Sequence, residues 1–141
     1  MSISARVHYA TLAMLELALR VDDPTPISAS EITEKHQIPG PFLLQIMRTL
    51  RARGWVESIR GSQGGYRLRV DADSITLLDI TEAIGCQENQ SMSGPGATAE
   101  CQRLQVLWDS AAEASRSVLE KARLSDIAEQ VRGGDSAMFY I

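Results

Sequence analysis

Six of the chain's arginines fall within residues 41–70, a stretch that contains one acid, Glu57. They are Arg48, Arg51, Arg53, Arg60, Arg67 and Arg69. The stretch therefore has a net charge of +5, and because the whole chain is −4, the other 111 residues together carry −9. Guanidinium groups recognise phosphates, and an acidic remainder would turn this one face toward a polyanion such as DNA. The alternative is that these arginines form an ordinary solvated surface.

The sequence that leads into this stretch predicts a helix-turn-helix. Ser28 can cap a first helix that ends near His36, with Glu31 completing a capping box, and a turn of sequence Gln-Ile-Pro-Gly follows. Pro41 suits the start of a second helix, which should run to about Arg53, because a missing N–H costs nothing there. The apolar residues of this second helix recur at three- and four-residue spacing and should be buried: Phe42, Leu43, Ile46, Met47 and Leu50. The other side then carries long hydrogen-bond donors: Gln45, Arg48, Thr49 and Arg51 or Ala52.

A hairpin should follow the second helix directly. Gly54 is expected to end that helix in the left-handed conformation that glycine enters freely. Residues 55–59 and 66–70 alternate like β-strands around the tract Arg-Gly-Ser-Gln-Gly-Gly at 60–65. Glycines in this tract would let the backbone approach a phosphate closely. A helix-turn-helix followed by such a hairpin is a winged helix-turn-helix, which points to DNA as the partner.

Two further helices should pack around this unit. Ser4 precedes an apolar segment that should be the first helix and that ends before Asp22. Thr76 is followed by Leu-Leu-Asp, which is typical of a capped helix start, and the resulting short helix should reach Gly85. The first helix would pack under the DNA-reading unit.

The longest helical pattern runs from Cys101 to about Ala122, after a segment at 87–98 that looks like a loop. Apolar and small residues lie along one stripe of this helix: Leu104, Leu107, Trp108, Ala111, Ser115, Val118, Leu119 and Ala122. A small domain leaves little to cover such a stripe, so we expect it to form the seam of a homodimer. A symmetric dimer would present two recognition helices to DNA half-sites roughly 34 Å apart. The alternative is that the helix caps the core of its own chain.

These patterns predict one fold and three segments. The fold class is mainly α with a small β-hairpin wing, and 44% hydrophobic residues in 141 are enough to build its core. Residues 1–85 should form the winged helix-turn-helix domain, and 86–100 a cysteine-bearing sensor loop. Residues 101–141 should form a dimerization helix and a C-terminal segment.

Several other classes of protein are disfavoured by the sequence. No run approaches the roughly 20 apolar residues of a membrane span, and no secretory signal is visible, so we expect a cytoplasmic protein without a membrane partner. The glycine tract lies between strands and lacks the lysine of a P-loop, and both histidines lie far in sequence from both cysteines. We therefore expect no enzyme. The competing class is a winged-helix module that binds another protein, whose binding would not fall steeply with salt.

Five segments together carry a resemblance to a known family and span nearly the whole chain: Ala5 to Ala10, Ile38 to Arg53, Arg60 to Tyr66, Ile75 to Leu77 with Ile80, and Cys101 before Leu107-Trp108. The combination resembles the Rrf-type (IscR/NsrR/RirA/CymR-like) winged helix-turn-helix transcriptional regulators. The most specific part is the wing motif followed by the short helix and the cysteine-bearing loop. The resemblance implies a homodimeric transcription factor with a long dimerization helix and, in many members, an iron-sulfur cluster held by the loop before that helix.

The resemblance also assigns candidate DNA contacts. Seven residues fall where family members contact double-stranded DNA, four in the recognition helix and three in the wing: Pro41, Phe42, Gln45, Arg48, Arg60, Ser62 and Gln63.

The chain departs from the usual cluster pattern of the family, because it has two cysteines, Cys86 and Cys101, where cluster-binding members usually carry three in this loop. A 2Fe-2S centre needs four ligands, and nitrogen can replace sulfur on one iron. His8 lies where some relatives supply a non-cysteine ligand to the cluster of the opposite subunit. One turn later in that helix, where they supply a second, this chain has Leu12. The resemblance thus suggests Cys86, Cys101 and His8 as cluster ligands and leaves the fourth unassigned.

Two alternatives for the cysteines stay open. A redox disulfide requires Cα atoms within about 7 Å, which the sequence cannot show. Cysteines in a chain of this kind are also often small buried hydrophobic residues, in which case the protein has no cofactor.

Overall fold

The computed structural model of the protein describes residues 3–85 and 98–137. Within these ranges the chain forms six α-helices, one two-stranded antiparallel sheet and a short 3-10 helix, Ala72–Ser74. The helices are α1 (Ala5–Leu19), α2 (Ala29–His36), α3 (Gly40–Ala52), α4 (Leu77–Ile84), α5 (Ala99–Lys121) and α6 (Leu124–Ala137). The strands are β1 (Val56–Ile59) and β2 (Gly65–Leu68). The predicted fold class, mainly α with a hairpin wing, is confirmed.

Helix α1 lies at the centre of the fold and contacts α2, α3, α4, α6 and β2. It begins where expected, because Ser4 accepts a hydrogen bond from the N–H of Val7 at 3.3 Å and so satisfies a free donor of the first turn. Its inward residues Ala10, Met14 and Leu17 are buried in the single core cluster that all these elements share. No helix in the described part of the chain is long and apolar enough to cross a membrane.

The helix-turn-helix forms as predicted, with two exceptions. Ser28 Oγ caps α2 by accepting from the N–H of Glu31 at 3.2 Å, and α2 ends at Gln37 in the left-handed conformation with φ of 53°. The predicted capping box is incomplete, because the Glu31 carboxylate accepts from Arg20 Nη1 at 3.1 Å rather than from the N–H of Ser28. The second exception is on α3. Four of the five residues expected inside α3 are fully buried: Leu43, Ile46, Met47 and Leu50. Phe42 is 44% exposed, so its expected burial is wrong. It lies at the edge of the apolar stripe, where its ring packs near the ring of Tyr9, with centroids 6.5 Å apart.

The wing contains a third extended segment that the sequence did not reveal. Strands β1 and β2 pair from Val56 with Leu68 to Ile59 with Gly65. Ile27, directly before the cap of α2, adds a bridge on the other side of β2. Its N–H donates to the carbonyl of Tyr66 at 2.9 Å, and its carbonyl accepts from the N–H of Tyr66 at 2.8 Å. The wing is therefore anchored by backbone bonds to the start of the helix-turn-helix.

Helix α4 begins with a reciprocal capping box, in which Thr76 Oγ1 accepts from the N–H of Asp79 at 3.1 Å and the Asp79 carboxylate accepts from the N–H of Thr76 at 3.0 Å. This confirms the predicted start. Helix α5 begins at Ala99, two residues before the predicted position, because Thr98 caps it by accepting from the N–H of Cys101. The rest of the predicted loop, residues 86–97, lies outside the described residues.

Helix α6 was not predicted, and it packs back onto the central helix. The carbonyl of Ile75 accepts from the N–H of Leu124, and the carbonyl of Ala122 accepts from the N–H of Leu77, both at 2.9 Å, so the turn between α5 and α6 is tied to the start of α4. Leu124 is fully buried against the core. Arg132 donates to the carbonyls of Ala18 and Leu19 at 3.3 and 3.1 Å, where a cation complements the carboxyl end of α1.

Candidate nucleic-acid interface

All seven residues expected to contact DNA are exposed to solvent. Four lie in the first three turns of α3, and three lie in the turn between β1 and β2: Pro41, Phe42, Gln45, Arg48, Arg60, Ser62 and Gln63. Helix α3 and strand β1 are in direct contact, because α3 leads into the wing through the short connection 53–55. The exposure of Phe42, which contradicts a core role, agrees with its assignment to the DNA-facing set.

The arginines of residues 41–70 differ in whether another residue of the protein pairs with their side chains. Arg67 stands opposite Glu57 in the register of the wing, and its Nε donates to the Glu57 carboxylate. The other five have no side-chain hydrogen bond or ion pair with any residue in the described ranges: Arg48, Arg51, Arg53, Arg60 and Arg69. Since Arg67 and Glu57 neutralise each other, the whole +5 of this stretch resides in guanidinium groups that are free to bind an external anion.

The tip of the wing depends on glycine geometry. Gly61 has φ of 119°, a conformation that strains other residues. A Cβ on Gly64 would lie 2.1 Å from the carbonyl oxygen of Ile59, and the N–H of Gly64 donates to the carbonyl of Gly61 at 3.0 Å. The tip is thus a tight turn from which the exposed side chains of Ser62 and Gln63 project beside bare backbone. This shape permits close approach to a phosphate chain or a narrow groove.

A buried ion cluster that was not predicted from the sequence connects α1 to the helix-turn-helix. Glu16 is only 2% exposed and is the one buried charged side chain in the described part of the chain. Its carboxylate lies 3.0 Å from Lys35 Nζ, 3.1 Å from His36 Nε2 and 3.4 Å from Arg20 Nη2. Burial alone would raise the pKa of Glu16, but the hydrogen bonds and charges of Lys35 and His36 outweigh it and hold the pKa below its ordinary value.

One signal in the sequence pointed to this cluster. Glu16 is a lone acid within the apolar run Leu12–Leu19, on the side of α1 that the periodicity places inward. A charge on such a face requires partners, because an unpaired buried charge is very costly. The partners could not be identified from sequence, since Lys35 and His36 belong to another helix.

Two of the three residues expected to sense a signal lie within the described ranges. His8 is exposed on α1, and Cys101 is partly exposed in the first turn of α5. Cys86 lies outside the described residues. In residues 3–85 and 98–137 no group of three or more His, Cys, Asp and Glu side chains could hold a metal ion. Leu12, which has no donor atom, packs against the core. Among the described residues the candidate ligands are thus His8 and Cys101, which are fewer than the four ligands that a 2Fe-2S cluster needs.

The start of α1 nevertheless lies close to the residue that precedes Cys86. A Cβ built on Gly85 would lie 3.4 Å from a methyl group of Val7, the neighbour of His8. The first turn of α1 and the end of α4 therefore meet in one chain.

The apolar stripe of α5 is largely uncovered in a single chain. No residue of α5 is buried, and the large side chains of Leu104, Leu107, Trp108 and Val118 are between 49% and 69% exposed. Helix α5 packs on α4, with Arg116 donating to Glu82 at 2.9 Å. Three residues of the stripe are partly buried, Ser115, Leu119 and Ala122, and the other five are exposed. The alternative that α5 caps its own core does not account for this exposure.

The chain is similar to known regulators of transcription. The sequence profile of the Rrf2 family, described as an iron-dependent transcriptional regulator, matches residues 3–130. The transcriptional regulator IscR of Cereibacter sphaeroides is 34% identical over 134 residues, covering 90% of this chain and 86% of that protein. The relatives are named as regulators rather than enzymes, which agrees with the expectation from sequence.

Two solved structures extend the comparison. CymR, the global cysteine regulator of B. subtilis, has a TM-score of 0.77 at 29% sequence identity, covering 92% of this chain and 97% of that one. The oxidized form of Staphylococcus aureus CymR has a TM-score of 0.75 at 31% identity, with the same two coverages.

Proposed function

The chain belongs to the Rrf2 family of transcriptional regulators, and we propose that it acts as a homodimer that binds specific sequences in double-stranded DNA. The observation that carries the proposal is a set of five arginines on and beside α3 and the wing that have no partner within residues 3–85 and 98–137. In a chain whose net charge is −4, these are concentrated where a winged helix faces DNA. The acidic remainder would orient the approach and disfavour other faces.

The roles of the seven DNA-facing residues follow from their positions. Helix α3 would enter the major groove, where Gln45 and Arg48 have the donors and acceptors that distinguish bases. The exposed ring of Phe42 suits apolar contact with a thymine methyl group. In the wing, Arg60 would bind a phosphate or a minor-groove edge, with Ser62 and Gln63 beside it.

Dimerization would follow from the exposed stripe on α5. A pair of two-fold related α5 helices would remove this apolar surface from water and set two copies of α3 at half-sites roughly 34 Å apart. The DNA target would then be an inverted repeat, since the symmetry of the protein is matched by that of the site.

Two experiments test the proposal. The first selects bound duplexes from a random pool, and the second titrates the protein with the selected and a scrambled duplex and follows anisotropy. We expect enrichment of an inverted repeat and affinity that falls steeply as salt rises. Arg60→Ala should weaken binding to both duplexes, whereas Gln45→Ala should mainly reduce discrimination, by about 1 to 3 kcal/mol per lost base contact. Failure to enrich any sequence, with salt-insensitive binding to a protein instead, would favour the winged-helix interaction module.

For the sensed signal, we propose redox or iron-sulfur status, read through Cys86, Cys101 and His8. A 2Fe-2S cluster would supply a centre whose charge changes on oxidation or reduction, at the helix that supports the DNA-reading unit. The alternatives are reversible thiol oxidation of the two cysteines, which similarity to a regulator with an oxidized form supports, and a regulator without a cofactor.

Anaerobic purification, a visible spectrum and measurement of iron and sulfide per chain separate these possibilities. A cluster requires that Cys86→Ala and Cys101→Ala each abolish the visible absorbance and that His8→Ala shift or abolish it with the dimer intact. Iron-free protein that loses free thiols on peroxide treatment and regains them with dithiothreitol would indicate thiol sensing. Unchanged thiols and DNA binding would leave the regulator without a cofactor.

A further inference from the structure

An open groove of about 490 Å³ separates the C-terminal half of α3 from strand β1. Three arginines line it, Arg48 and Arg51 from the helix and Arg69 from the residue after β2, and Glu57 and Ser58 form the opposite wall. Of these residues only Arg48 belongs to the set expected to contact DNA. The groove therefore contains two guanidinium groups, those of Arg51 and Arg69, without an assigned role.

The backbone holds these side chains in a fixed relation. Arg48 and Arg51 are three residues apart, which places them on one face of α3 in successive turns. The N–H of Arg69 donates to the carbonyl of Trp55 at 2.9 Å, and the N–H of Trp55 donates to the carbonyl of Leu50 at 3.1 Å. Two hydrogen bonds thus connect the end of the wing to the last turn of α3. The backbone positions from which these three side chains extend are therefore fixed relative to one another.

The charge balance of the groove calls for an anion. None of its three guanidinium groups has a partner in the part of the chain that the structure describes. The one acid on the wall, Glu57, is ion-paired with Arg67 on the opposite strand and so does not neutralise them. Like charges that line one groove repel one another, and the anion whose oxygens match guanidinium forks is phosphate.

We propose that Arg51 and Arg69 bind one phosphate of the DNA backbone at the junction of α3 and the wing, beside the base-reading side chain of Arg48. The inference rests on the proposed DNA-binding function and adds a positioning contact to it. The phosphate would belong to the strand that passes from the major groove, entered by α3, to the minor groove approached by the wing tip. Such a contact fixes the register of the protein on DNA without reading sequence.

The test compares Arg51→Gln, Arg69→Gln and the double variant with the wild type on a selected and a scrambled duplex over a range of salt. Each single variant should lose affinity for both duplexes by the same factor, about three- to tenfold. The double variant should lower the salt slope by about 2, because the proposed dimer contains the site twice and each site neutralises one phosphate. Arg103→Gln on α5 is the matched control, because it removes the same charge from an exposed, unpartnered arginine outside the groove. It should leave the slope unchanged.

The outcomes separate this inference from the proposed function. A wild type that does not bind DNA would defeat the proposed function itself. Salt-dependent DNA binding that the double variant retains with an unchanged slope would defeat only the phosphate site. A loss confined to the selected duplex would also overturn the inference, since it would make these arginines readers of bases. Equal thermal unfolding midpoints of the variants and the wild type exclude a change in folding as the cause.

Discussion

The carboxylate of Glu16, buried in α1, lies 3.1 Å from Nε2 of His36, the last residue of α2. Lys35 Nζ lies 3.0 Å from the same carboxylate, so one buried acid of α1 binds the last two residues of α2, the first helix of the helix-turn-helix. The arrangement positions α2, and through it the turn that leads into α3.

Replacing Glu16 with alanine should therefore destabilise the fold. The change removes charge-assisted hydrogen bonds and leaves a cavity, and we expect a loss of about 2 to 3 kcal/mol in the free energy of unfolding. The half-exposed Lys35 can return to water, which keeps the loss below that of a fully buried pair. Urea unfolding measures it. Glu34→Ala, which removes an exposed acid of α2, is the control and should change stability by about 0.5 kcal/mol or less. Equal effects of the two changes would contradict a structural role for the cluster.

The same carboxylate predicts a dependence of stability on acid. The pKa of Glu16 in the folded protein lies below its ordinary value of 4.5, so the folded state binds fewer protons here than the unfolded state. Its contribution is fully present above pH 4.5 and is lost as pH falls through the folded pKa. Urea unfolding between pH 7 and about 3 should show the wild type losing stability relative to Glu16→Gln below about pH 4.5. Parallel curves for both proteins would refute this assignment, because other carboxyls are common to both.

Local interactions explain which parts of this fold could be predicted from sequence. Ser28 and Thr76 accept from the N–H groups three residues later, so four consecutive residues are enough to predict each cap. The bridge from Ile27 to Tyr66 joins segments far apart in the chain, and no local pattern specifies it. The inward position of Glu16 follows from periodicity, whereas its partners on α2 depend on how two helices pack. The same limit applies to Arg69, whose place beside α3 is set by the wing.

The ion pair of Glu57 and Arg67 should matter for DNA binding through charge rather than contact. Arg67→Gln frees the Glu57 carboxylate on the wall of the arginine groove, and we expect about two- to fivefold weaker binding to selected and scrambled duplexes alike. The double variant Glu57→Gln/Arg67→Gln removes both charges and should restore affinity. Anisotropy titrations complete the double-mutant cycle. If the double variant binds as weakly as Arg67→Gln, then Arg67 itself contacts DNA.

The bridge that anchors the wing predicts that Gly65 does not tolerate substitution by a larger residue. A Cβ on Gly65 would lie 2.4 Å from the carbonyl oxygen of Ile27, so Gly65→Ala must disrupt the bridge between Ile27 and Tyr66. We expect a loss of about 1 to 3 kcal/mol on urea unfolding. Gly40→Ala is the control, because a Cβ there meets no atom within 4 Å and its backbone is helical. A Gly65→Ala protein as stable as the control would show that the bridge contributes little.

The apolar stripe of α5 gives the last prediction, on assembly. Leu107 and Val106 are adjacent and similarly exposed in one chain, at 62% and 63%, but only Leu107 belongs to the stripe, and Val106 lies on the opposite side of the helix. A charge at Leu107 would be buried unpaired in the dimer yet solvated in the monomer. Leu107→Glu should thus give a folded monomer by light scattering, with DNA affinity lower by about a hundredfold or more because two linked half-site contacts become one. Val106→Glu should remain dimeric. Dimers from Leu107→Glu with monomers from Val106→Glu would place the seam on the other face of α5, and a monomeric wild type at micromolar concentration would remove it altogether.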